Sequence, residues 1–445
     1  MSWKNISPDN TEFVILCFEG PDRYSIAGGL GIRIQNLSST LAKMGFWTHL
    51  FFIGDPEGRG EEVGCRGKLI LHRWCQWISK YYPHGVYAGE NEKLHDFNES
   101  IPWFVKDRVV KPAVAQGKLV VILGEEWQTA EVMCRLSDAL RDDGLRDKVV
   151  MFWNANNTFS FDRIDWDRLE CAATITTVSR YMKHVMWRMR VNPLVIPNGI
   201  PRHLLRKVDD RTTGRVRQTL GADLVMCKVA RWDPNKRWNM AVEAIARLRE
   251  KGLKALLVAR GGVEPHREEV IQNARSLGLM VRETKARPNS FDSYLTALQE
   301  ATPADVIDVR FNLPLDFLRP LYRAAHGVLA NSGHEPFGIV GLEAMAAGGV
   351  VYTGCSGEDY AISLVNSIVL ETSDPMEIVS YAMYLRDFPE EATRIRESAR
   401  HTARYFTWEA AIQNLISKVE NQARTQGILI GRAKPAPLPL FEMET

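Results

Sequence analysis

His334-Glu335-Pro336-Phe337-Gly338-Ile339-Val340-Gly341-Leu342-Glu343-Ala344-Met345 places two acidic residues in an otherwise apolar or small run. Pro336 suits a first helical turn, where its fixed φ fits and its missing N–H is not needed. The residues after it predict a helix over 338–347 that is apolar on nearly every face and therefore buried against a sheet. Glu343 then has little water around it and needs a partner. Vicinal sugar hydroxyls would satisfy both of its oxygens; a neighbouring Arg or Lys is the alternative. Glu335 precedes the helix, and the amides of Phe337, Gly338 and Ile339 at the helix start are available to an anion or a sugar hydroxyl.

Outward from this stretch, short apolar runs alternate with segments of helical period, the pattern of parallel strands covered by helices. Strands are expected at 13–18, 48–53, 69–74, 119–123, 149–153, 174–178 and 194–196. After Pro197-Asn198-Gly199 a second series follows at 224–229, 254–259, 327–330 and 349–352, with helices near 237–250, 265–277 and 338–347. The fold class is α/β, with two Rossmann-like, doubly wound domains at 1–200 and 201–404, and the segment 197–221 reads as the linker. Helical patterns continue from about 374 to 425 with a break at Phe406-Thr407-Trp408. From Gly427 the tail, PAPLPL included, reads as loosely ordered or lying on the surface.

Sheets of this kind bind ligands at the carboxyl ends of their strands, so the cleft between the two domains is the expected site. Two further motifs follow strands. Ala27-Gly28-Gly29-Leu30-Gly31 would let backbone amides approach an anion at a helix start; a plain tight turn is the alternative. A dinucleotide fingerprint would need Gly at 34, where the chain has Ile34, and there is no Walker A run. Arg231-Trp232-Asp233-Pro234-Asn235-Lys236 offers a guanidinium fork and an ammonium point charge to a diphosphate, or else a solvated basic loop.

The 445 residues allow two or three domains, and 45% hydrophobic with 25% charged residues supply a core for each. Lys plus Arg total 56 against 54 Asp plus Glu, a net charge of +2, so no overall field draws the chain to nucleic acid or an acidic membrane. The seven cysteines contain no Cys-x-x-Cys pair and read as reduced core residues. The first 20 residues lack the features of a signal peptide, and no run approaches the roughly 20 apolar residues of a membrane helix. A cytoplasmic protein without an integral membrane segment is the expectation.

The elements above, in this order, resemble the family 4 retaining glycosyltransferases of GT-B architecture over nearly the whole chain. The specific part is Glu-x7-Glu within EPFGIVGLEAMAAG, supported by the Gly-Gly-Leu loop, VIPNGI, the Arg231/Lys236 pair, LYRAA at 321–325 and the break at Phe406–Trp408. The resemblance implies that Arg231 and Lys236 neutralise the donor diphosphate, Glu343 holds the ribose and Glu335 the transferred sugar. It also implies that residues 405–445 include a helix returning to the first domain. Glu335, Arg231 and Lys236 are thus the expected catalytic set. Gly28, Gly29, Phe337, Gly338, Ile339 and Glu343 complete the donor site. Glycogen-synthase-like members carry His-x-His-Asp-Trp before Gln-Thr-Ala; the matching run here is Leu123-Gly124-Glu125-Glu126-Trp127-Gln128-Thr129-Ala130, which lacks both histidines.

Glu125, Asn154, Arg180 and Lys183 are the candidate acceptor residues. Arg180, Lys183 and His184 form one helical face after a strand, suited to a phosphorylated acceptor or simply solvated. Residues 74–104 are dense in aromatics on which sugar rings could stack, Tyr87 among them, although packing is the commoner role. Sucrose-phosphate synthases are similar in the donor half. A retaining transfer of a hexose, glucose from UDP-glucose being the leading choice, to a sugar or sugar phosphate is therefore expected, without metal or other cofactor. A catalytically weak nucleotide-sugar-binding protein is the alternative.

Overall fold

The computed structural model describes residues 5–284 and 288–429. The PAPLPL run and the end of the expected 405–445 segment lie outside the described residues. The chain divides into two compact units, one running to Asn198 and resuming at Trp408, the other spanning Gly199–Thr407.

The first unit is built on eight strands: β1 (Thr11–Cys17), β2 (Trp47–Ile53), β3 (Glu61–Gly64), β4 (Leu69–Trp74), β5 (Leu119–Glu125), β6 (Val149–Ala155), β7 (Thr174–Thr177) and β8 (Leu194–Val195). Their order is β3-β4-β2-β1-β5-β6-β7-β8, parallel except for β3 against β4. The central strands are continuous apolar runs because helices cover both faces. The helix Trp408–Thr425 belongs to this unit: Trp408, Ile412, Leu415 and Val419 share one core with Phe13, Ile15, Leu37 and Leu41.

The second unit has seven parallel strands: β9 (Leu224–Val229), β10 (Ala255–Arg260), β11 (Val281–Glu283), β12 (Val306–Asp308), β13 (Gly327–Ala330), β14 (Val351–Thr353) and β15 (Ile368–Val369). Their order is β11-β12-β10-β9-β13-β14-β15. Winding reverses between β1 and β5 in the first unit and between β9 and β13 in the second, and at such switch points the loops leaving neighbouring strands part to leave a crevice.

Strands β3, β11, β12 and β15 were not expected from sequence, being two to four residues long and in part polar. The helix expected over 338–347 is Ile339–Ala347. Gly338 adopts a left-handed conformation, φ 78°, so Pro336 lies in the preceding loop and not in the first turn. The seven cysteines are free, but only Cys17, Cys75, Cys134 and Cys227 are buried; Cys171 is exposed, which corrects the core reading for that residue. No helix among the described residues is long and apolar enough to cross a membrane.

Candidate functional site

In the second unit the Arg231–Lys236 loop leaves β9 and the Glu335 loop leaves β13, the two strands that flank the switch point. The ends of these loops meet. Lys236 Nζ lies 3.0 Å from Glu335 Oε1, and Ser332 Oγ donates to the other Glu335 oxygen at 2.8 Å. Asn235 ties the loops together: its side-chain oxygen accepts from the His334 amide at 2.8 Å, its amide group donates to the His334 carbonyl, and its own carbonyl accepts from Gly333 N at 2.7 Å. Behind the first loop, Trp232 stacks on Trp238 with ring centroids 3.9 Å apart, and Trp238 Nε1 donates to the Arg231 carbonyl at 2.8 Å. The Arg231 guanidinium is not gathered into this cluster; it is exposed and meets no acceptor among the described residues.

Glu343 projects from the helix that follows. It makes no hydrogen bond or ion pair among the described residues, and desolvation pushes its carboxyl up to about 7. The alternative of an Arg or Lys partner is therefore not what the structure contains. The buried Tyr360 hydroxyl donates to the Gly338 carbonyl at 2.5 Å; burial, then Glu335, Asp359 and Glu343, push its pKa upward. The amides of Phe337, Gly338 and Ile339 donate to no protein acceptor among the described residues.

Sequence reasoning missed Lys228, a lysine in the apolar strand β9. Its Nζ donates to Asn331 Oδ1 at 2.5 Å and to the Leu329 carbonyl at 3.2 Å, and it lies 5.2 Å from the Trp238 ring centroid. Desolvation first, then the charge of Lys236, lowers its pKa to about 7. Asn235, Asn331 and Ser332 were missed as well; only their position after strands could have pointed to them.

In the first unit the glycine loop does gather its amides on a single acceptor, but that acceptor is internal. Glu19 Oε2 receives the amides of Ala27 at 3.0 Å, Gly28 at 3.2 Å and Gly31 at 3.0 Å, while Tyr87 Oη donates to Glu19 Oε1 at 2.6 Å. Gly29 opens the helix Gly29–Lys43. Beside this loop a surface concavity is lined by Arg23, Tyr24, Ile26 and Asp55 together with the run 83–88 from the expected aromatic stretch, which brings His84 and Tyr87 to it.

Glu125 is a buried hub. Arg33 Nε and Nη2 donate to its two oxygens at 3.1 and 3.0 Å, and the side-chain amides of Asn154 and Asn156 donate to Oε2 at 3.0 and 2.9 Å. Asn154 in turn accepts from Thr176 Oγ1 at 2.9 Å. Next to it Glu126, buried, has φ 70° and ψ 165°, a backbone conformation that non-glycine residues hold only when their surroundings enforce it. Its carboxylate accepts from Asn156 N at 2.6 Å and Asn157 Nδ2 at 3.1 Å, yet desolvation pushes it up to about 8. Arg180 and Lys183 follow β7, further along the sheet; Lys183 Nζ donates to the Pro193 carbonyl at 2.9 Å and lies over the Trp187 ring. Among the described residues no group of three or more His, Cys, Asp and Glu is placed to hold a metal ion.

Against this geometry, residues 211–402 match the family model described as glycosyl transferases group 1. The chain carries a group 1 domain. It is 27% identical over 248 residues to a D-inositol 3-phosphate glycosyltransferase of Geodermatophilus obscurus, covering 55% of this chain and 51% of the relative. It is 28% identical over 240 residues to a mannosylfructose-phosphate synthase of Agrobacterium fabrum, covering 51% and 47%. The chain thus spans about half the length of the curated relatives it matches. Over both units the fold is that of a sucrose-phosphate synthase from Thermosynechococcus elongatus, TM-score 0.63 at 18% identity, covering 93% of this chain and 99% of that one. A trehalose-phosphate synthase from Burkholderia xenovorans, solved with glucose-6-phosphate, gives 0.58 at 13% identity, covering 92% and 100%. The architecture is GT-B. Within the group 1 domain lie Arg231, Lys236, Glu335 and Glu343, and also Lys228 and Asn331.

Proposed function

We propose that the chain is a retaining glycosyltransferase that moves a hexose, with UDP-glucose the leading donor, to a sugar or sugar phosphate. The observation that carries this reading is the Lys236–Glu335 pair, held by Asn235 and Ser332 at the switch point, with an unpartnered Glu343 on the helix beyond it. A pyrophosphate needs cations, and Lys236 and Arg231 supply them without a metal. Glu343 lacks hydrogen-bond donors that ribose hydroxyls would bring, and Glu335, anchored at both oxygens, is rigid enough to orient the transferred sugar. The phosphorylated compounds in the names of the two curated relatives support a phosphorylated acceptor.

In the reaction an acceptor hydroxyl oxygen attacks the anomeric carbon from the face the diphosphate leaves, the bond from that carbon to the phosphate oxygen breaks, and the hydroxyl proton passes to the departing phosphate. The protein's part is to position the reactants and to stabilise the charge growing on the diphosphate. Glu335→Gln and Lys236→Met should each lower kcat/KM about 10²–10³-fold with melting curves little changed. The assay is a panel of UDP-, ADP- and GDP-sugars against sugar and sugar-phosphate acceptors, with the product anomer read by NMR. An inverted anomer would refute the retaining mechanism; donor binding without transfer to any acceptor would favour the weakly active binding protein.

A further inference from the structure

A second polar site lies at the opposite end of the second unit's strands. On the helix Asp210–Leu220, residues Asp210, Thr213, Gly214 and Arg217 fall at i, i+3, i+4 and i+7, one face. On the helix Pro389–Ala403, residues Thr393, Arg396, Glu397 and Arg400 repeat that spacing. The two faces line one groove, joined by Arg323 from the last turn of the helix Leu315–Ala324. Small residues keep it open: a side chain begun at Gly214 would meet nothing within 4 Å.

Four guanidinium groups share this groove with two carboxylates, and the carboxylates do not balance them. Asp210 pairs with Arg323 at 2.9 Å and also with Lys207 at 3.1 Å. Glu397 forms no ion pair among the described residues. Arg396 donates to the carbonyls of Arg323, Ala325 and Gly348 at 3.1, 2.8 and 2.8 Å, and Arg400 to that of Leu205 at 3.1 Å. Capping carbonyls explains Arg396. It does not explain Arg217, which has no partner among the described residues, or the gathering of all four. Burial and then the charges of Arg217 and Arg323 lower Arg396 to about 10, and burial and then Arg323 lower Arg400, so the groove holds like-charge repulsion that an anion would relieve.

The carbonyls bound by Arg396 end the helices leading into β13 and β14, so the groove lies at the amino ends of these two strands, the first of which carries the Glu335 loop at its carboxyl end. We propose that this groove binds a phosphate group, as the free ion or as a phosphate monoester, through Arg217, Arg323 and Arg400. Guanidinium forks match its oxygens in pairs, and the dianion offsets the excess charge.

The test is calorimetric titration of the full chain with inorganic phosphate and with glucose 6-phosphate. The forms compared are wild type, Arg217→Gln, Arg217→Gln/Arg400→Gln, and Arg231→Gln/Lys236→Gln. Phosphate is expected to bind wild type and Arg231→Gln/Lys236→Gln alike and to bind both groove variants about tenfold or more weakly. Tighter binding of glucose 6-phosphate through the same arginines would identify a monoester as occupant, and equal binding the free ion. Arg217 is exposed, so its single variant, checked by thermal melting, separates loss of the site from loss of the fold. Absence of saturable millimolar binding in wild type, or binding that survives in the groove variants and disappears in Arg231→Gln/Lys236→Gln, would overturn the proposal.

Discussion

Lys228 and Lys236 belong to one short segment yet differ in what surrounds their charge: Lys236 has Glu335, whereas Lys228 has only an amide oxygen, a carbonyl and a ring face. With its pKa lowered from 10.5 to about 7, folded Lys228 releases its proton near neutrality while the unfolded chain keeps it until far higher pH. The unfolded state therefore binds more protons between the two values, and stability rises with pH across that window. Below it both states are charged and the folded chain bears the whole burden of the buried cation. At about 1.4 kcal/mol per tenfold, Lys228→Met should remove roughly 2–3 kcal/mol of the stability gained from about pH 7 to about pH 9, read by urea unfolding of both proteins. At Glu125 the opposite design predicts a different response. Arg33→Met leaves a buried carboxylate without its cation and should cost about 3–5 kcal/mol, whereas Arg33→Met/Glu125→Met should recover much of that loss. Neither residue's state was legible in sequence. A lysine in an apolar strand and a glutamate at the end of one take their electrostatics from neighbours far along the chain.

Among the elements, the helix Ile339–Ala347 shows how closely packing constrains a motif. A Cβ on Gly341 would lie 2.5 Å from Tyr360 Oη, the group that bonds the Gly338 carbonyl. Gly341→Val should displace Tyr360, lower stability by about 1–3 kcal/mol and weaken nucleotide diphosphate binding, measured by thermal melting and titration. The apolar character of this helix was readable from its composition, and its burial followed. Its first residue was not, because the left-handed Gly338 delays the helix to Ile339, three positions later than Pro336 in a first turn would suggest. The short strands β3, β11, β12 and β15 escaped notice for a related reason: few residues carry too little periodic pattern to separate a strand from a loop.

At the scale of the molecule, each unit has a core of its own, and the helix Trp408–Thr425 lies in the first although it follows the whole of the second in sequence. Ile412→Asp buries a charge in the first unit's core and should destabilise it by several kcal/mol. Limited proteolysis of that variant should digest the first unit while leaving a protected fragment near Gly199–Thr407; uniform digestion would contradict independent cores. The sequence alone settled the alternation of strand and helix, the division near residue 200 and the placing of the candidate motifs just after strands, since hydrophobic period and turn chemistry are local properties. Tertiary structure decided which of those motifs meet: Lys236 with Glu335 across a switch point, the glycine loop with the chain's own Glu19, and four arginines in one groove. Contacts of that kind depend on strand order and helix packing, which no local pattern encodes.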